Sequence, residues 1–116
     1  MSDHVDQSPA PVWNRQSALQ RLMNNEALLN RILKIFFEQA ETHLTAIRDN
    51  IQQGRLEEAR AAAHALKGSA GEVGADRMHQ HLGQLENALV SKAAQQAADI
   101  YKVVVVDYQQ VCQQAK

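Results

Sequence analysis

Ile100-Tyr101-Lys102-Val103-Val104-Val105-Val106-Asp107-Tyr108 is the stretch on which the fold class turns. Four consecutive β-branched residues suit a buried strand as well as a buried turn of helix. The flanks separate the two. Residues 93–99 and 109–114 are mostly alanine and glutamine, with no glycine or proline to bracket a strand. A lone strand would also leave its backbone hydrogen bonds without a partner. Read as helix, Ile100, Val103, Val104, Tyr108 and Val111 align on one side, and the spacing predicts a helix from about Ala93 to Gln114.

Outward from this segment every element is predicted helical. After Val12 there is no proline, and good helix formers dominate. Asn14 is placed to cap a short helix over 15–23, with Trp13 as a staple onto Leu19. Asn25 is placed to cap a long helix over 26–53, on which Leu29, Ile32, Leu33, Phe36, Ala40, Leu44, Ile47 and Ile51 form the apolar stripe. Of the adjacent Phe36 and Phe37, one ring is expected in the core and the other at a partner surface. Gly54 and Gly74 stand where helix C-termini need them, closing the long helix and a third helix over 56–73. A fourth helix, 75–90, carries Met78, Leu82, Leu85 and Leu89. Short loops between long amphipathic helices imply an all-α domain, an antiparallel up-down four-helix bundle with a short extra N-terminal helix. Residues 1–12, which hold both prolines, read as a tail or linker, and residues 13–116 as the domain.

Composition narrows the function. The 116 residues carry 12 basic and 13 acidic side chains, a net charge of −1, so there is no general pull toward nucleic acid or anionic lipid. Cys112 is the only cysteine, which excludes an internal disulfide and a cysteine-based zinc site. No apolar run approaches the ~20 residues that span a bilayer, and the N-terminus lacks a signal-peptide stretch. A cytoplasmic location is expected, either as a free protein or as a cytosolic piece of something larger.

The third helix has one unusual face. At 100° per residue, Arg60, Lys67, Gly68, Gly71 and Glu57 all fall within about 60° of His64. Ala59, Ala63, Leu66, Ala70 and Val73 lie roughly opposite and must face the core, so His64 points to solvent. Glycine inside a helix costs about 1 kcal/mol relative to alanine. Gly68 and Gly71 sit on the exposed side, where no internal packing is expected to require them. They leave bare backbone beside an imidazole, which lets another protein approach closely. Lys67 is expected as a mobile cation one turn from the ring. A neutral imidazole nitrogen is a competent nucleophile near pH 7. There is no Gly-rich nucleotide loop and no acidic metal cluster, so neither ATP binding nor a metal of its own is expected. His79 and His81 lie about 200° apart on their helix and cannot chelate one ion together.

The segment His64-Ala65-Leu66-Lys67-Gly68-Ser69-Ala70-Gly71-Glu72-Val73-Gly74-Ala75 resembles the signature of histidine-containing phosphotransfer (HPt) domains. That signature has His, Leu two residues on, Lys at three, Gly at four, Ser or Ala at five, and Gly-Ala at ten and eleven. Leu28-Leu29, Ile35-Phe36-Phe37 and Leu85-Glu86 also look like the family's, while Arg55 departs from its usual Gly-Asp turn. The likeness covers nearly all of 14–116 and is most specific over 61–86.

The resemblance implies that His64 accepts a phosphoryl group from a receiver-domain aspartate and passes it to another. Lys67 would stabilise the phosphoryl charge, and Arg60, Gly68 and Gly71 would form the docking face. The partners implied are response-regulator receiver domains, with a sensor histidine kinase in cis as a further candidate. No cofactor is implied beyond Mg²⁺ brought by the receiver. Some relatives place Gln where Glu86 stands, bonded to the imidazole, which makes Glu86 the candidate ring partner. A carboxylate there would be expected to repel a phosphohistidine. Two other readings remain open: a bundle that docks a receiver without being phosphorylated, and a metal-binding bundle.

Overall fold

Val104 is fully buried, Val105 half-buried, and Val103 and Val106 are 43% and 49% exposed. That is the burial of a helix with one face inward, although Val103, expected on that face, turns outward. The computed structural model describes residues 10–116, and its regular structure there is five helices with no strand. They are α1 (Arg15–Arg21), α2 (Glu26–Gln52), α3 (Leu56–Val73), α4 (Asp76–Val90) and α5 (Ala94–Ala115).

The local chemistry explains the boundaries. Asn14 accepts the Ser17 N–H and Asn25 accepts the Leu28 N–H, so both predicted caps form. Gly74 ends α3 with φ +85°, and an added Cβ would lie 2.6 Å from the Asn14 carbonyl oxygen. This glycine serves two needs, a left-handed cap and the close passage of the segment leading into α1.

α2 packs on α3, α3 on α4, α4 on α5, and α5 returns to α2. The shared core contains Leu29, Phe36, Ile47, Leu66, Met78, Leu82, Leu85, Val104 and Val111. The stripe expected on α3, Ala59, Ala63, Leu66, Ala70 and Val73, is the buried one. Its small side chains let α2 and α4 approach α3 closely, which matters for the side chains that reach across to it.

Three details add to expectation or depart from it. Trp13 donates its indole N–H to Val73 O at 2.9 Å, so it ties the chain before α1 to the end of α3. Of the expected tail, residues 1–9 lie outside the described residues. Ala10 and Pro11 are held instead of trailing: their carbonyls accept from Arg77 Nε at 2.8 Å and Arg77 N at 2.9 Å. Phe36 is buried as expected, but Phe37 packs beside Phe36 and Tyr108, with Lys116 over its ring. It therefore borders α5.

Candidate functional site

His64 stands on the solvent side of α3 with its side chain 67% exposed. The apolar face of α3 dictates this, because Ala63 and Leu66 take the inward positions. The next helix supplies the ring's partner. Glu86, on α4 between the buried Leu85 and Ala88, is almost entirely covered and turns its carboxylate toward α3. Its Oε2 lies 3.0 Å from His64 Nδ1.

The same carboxylate is charge-balanced from two other sides. Lys67 Nζ is 2.7 Å from Oε1, an oxygen shut off from solvent that has no other polar partner. Arg60 Nη1 is 3.9 Å from Oε2, while Arg60 Nη2 is bound to Glu57 at 2.6 Å. Burial pushes the Glu86 carboxyl up, but hydrogen bonds and charge from Lys67 and His64 outweigh it. Its pKa lies below the ordinary value of 4.5. Glu86 is therefore ionised at neutral pH and acts as an acceptor only.

A charged carboxylate at Nδ1 sets the tautomer. Nδ1 carries the hydrogen, and Nε2 of the neutral ring keeps its lone pair. Carboxylate and lone pair lie on opposite edges of the imidazole, so Glu86 does not face a group bonded to Nε2. Lys67 and Arg60 stand beside the carboxylate as counter-charges. Lys67 also differs from expectation. It is not a free cation but an anchored one, 29% exposed and salt-bridged to Glu86.

The two glycines part company. At Gly68 an added Cβ would meet nothing within 4 Å, so its surface is open as expected. At Gly71 the Cβ would stand 3.0 Å from His79 Nδ1 and 3.3 Å from its Cε1. A side chain there would press on the His79 imidazole, which lies beside Gly71 and bonds Lys67 O at 2.9 Å. Gly71 is therefore not bare backbone: α4 lays a ring beside it that the α3 sequence cannot announce.

Arg21 of α1 adds a bond to Gly71 O at 2.7 Å, bracing the C-terminal end of α3. His81 turns the other way from His79 and pairs with the buried Asp107 of α5 at 2.5 Å. Among the described residues no group of three His, Cys, Asp or Glu could hold a metal ion. No described helix is long and apolar enough to cross a membrane.

The arrangement presents one exposed nucleophilic nitrogen, a fixed proton on its sister nitrogen, a buried anion behind it and flanking cations. A family model described as "Hpt domain" matches residues 31–115. Searches of curated proteins and of solved structures gave no match.

Proposed function

Given that the chain belongs to the Hpt domain family, whose members carry phosphoryl groups on histidine in phosphorelays and have no ATP site of their own, we propose that His64 is its acceptor. The observation that carries this is the Glu86–His64 hydrogen bond, which leaves Nε2 as the ring's free base.

In the proposed reaction the Nε2 lone pair attacks the phosphorus of a receiver aspartyl phosphate. The P–O bond to the aspartate breaks, and its electron pair leaves with the carboxylate. The Nδ1 proton stays in place, so the ring gains positive charge as the N–P bond forms. Glu86 stabilises that charge from the far side. In the second half-reaction a carboxylate oxygen of another receiver attacks the same phosphorus, the N–P bond breaks, and the neutral imidazole returns. Catalysis of this kind is positioning and charge neutralisation. Lys67 is one turn from His64 and needs only to swing from Glu86 to reach phosphoryl oxygens. Arg60 and Gly68 flank the ring, Gly68 as the point of closest backbone approach. The receiver brings the Mg²⁺ its own aspartate chemistry needs.

The proposed partners are response-regulator receivers in the cytoplasm, with a sensor kinase in cis where the domain is fused to one. The reading takes the four long helices as an antiparallel up-down bundle, supported by their short connections and closed packing order. Incubation with a phosphorylated receiver, followed by mass analysis under alkaline conditions, tests the assignment. Phosphate on the parent protein and none on His64→Gln is expected. Receiver binding by the parent without any phosphate would favour the docking-only bundle.

A further inference from the structure

Gly71 and His79 form a seat and its occupant on the same face as His64. Gly71 lies within about 20° of His64 and roughly 10 Å further along α3. The His79 ring sits in the space that a Cβ at Gly71 would fill. Its Nδ1 lies 2.9 Å from Lys67 O. A carbonyl oxygen only accepts, so Nδ1 of His79 must donate, and Nε2 of the neutral ring is an acceptor. Among the described residues no group bonds that Nε2, and His79 is an exposed residue.

A standard protein interface covers about 800 Å² per partner, a patch roughly 30 Å across. A receiver centred on His64 therefore covers His79 as well. The ring cannot turn freely within that patch, since its Nδ1 edge is tied to Lys67 O and packed against Gly71. A pre-oriented acceptor of this kind selects partners that offer a donor and disfavours those that offer another acceptor.

We propose that His79 is a specificity-determining contact for the receiver, taking a hydrogen bond from an N–H or O–H group of the partner at Nε2. Gly71 is then a positioning residue that acts through His79 and does not touch the receiver itself. This rests on the relay reading given above for His64.

The experiment measures transfer from a receiver charged with acetyl phosphate, with KM for the receiver and kcat obtained separately. His79→Ala and Gly71→Ala should each raise KM about fivefold, the effect of one lost hydrogen bond, with kcat within twofold of the parent. The double variant should be no worse than His79→Ala alone, and His79→Gln, which keeps an acceptor, should recover part of the loss. Thermal melts check that each variant is folded. Additive effects in the double variant, or an unchanged KM in folded His79→Ala, would overturn the proposal while leaving transfer to His64 intact. Phosphorylation that persists in His64→Gln would instead overturn the relay reading on which it rests.

Discussion

The Glu86 carboxylate accepts a hydrogen bond from His64 Nδ1 at 3.0 Å while Lys67 closes on its other oxygen at 2.7 Å. The exposed ring is thus held by a buried anion that belongs to the neighbouring helix. An imidazole on a bare helix surface would exchange tautomers and rotamers; this one is held in the form that offers Nε2.

Removing the Glu86 carboxylate should therefore slow the chemistry more than the docking. Glu86→Ala frees the tautomer and, in the proposed relay, withdraws the charge that would stabilise a phosphorylated ring. A fall in kcat of about tenfold is expected, on the order of one charge-assisted hydrogen bond. Glu86→Gln keeps an acceptor for Nδ1–H and should lose less. Rapid-quench transfer kinetics distinguish the two, and equal kcat in all three proteins would remove Glu86 from the mechanism.

Gly68 tests the proposed docking face in isolation. Its missing Cβ faces open space, so Gly68→Gln strains nothing and gains helix propensity of about 0.5 kcal/mol. The melting temperature should hold or rise, while the longer side chain stands in the path of the receiver. Transfer reduced about tenfold or more in a protein of undiminished stability is the expected pair of results.

The helices and the exposure of His64 were legible from the chain alone, because period, caps and glycine stops are local signals. Even the run Val103 to Val106 resolved correctly from its flanks. What the chain alone misjudged are the contacts made across α3 and α4. Lys67 looked free because Glu86, its partner, lies on another helix. Gly71 looked unpacked because His79 reaches it only once α4 is docked. Which edge of the His64 ring Glu86 meets was not legible either, because distance along the sequence says nothing about it.

Glu86 also links the site to acid stability. Its folded pKa lies below the ordinary 4.5, so it contributes stability that is complete above that value and is lost as pH falls through the lower folded one. Denaturant unfolding followed through and below about pH 4 should show a shallower loss for Glu86→Gln than for the parent. Parallel curves would mean that the Lys67 and His64 contacts do not persist in solution.

The His81–Asp107 pair joins α4 to α5 at 2.5 Å, with the Asp107 side chain 5% exposed. Removing His81 strands a buried carboxylate. His81→Leu should cost about 3 kcal/mol, a drop in melting temperature of roughly 10 °C. His81→Leu combined with Asp107→Leu should recover much of it. Transfer at a temperature where all variants are folded should be unaffected, since the pair lies on the other side of α4 from His64.

The most direct measurement is the identity of the phosphorylated nitrogen. With ¹⁵N-labelled histidine and a phosphorylated receiver as donor, NMR detects the ¹⁵N–³¹P coupling and assigns it to one ring atom. Phosphorus on Nε2 of His64, with a hydrogen retained on Nδ1, is the predicted result. Phosphorus on Nδ1, or on any residue other than His64, would contradict the account.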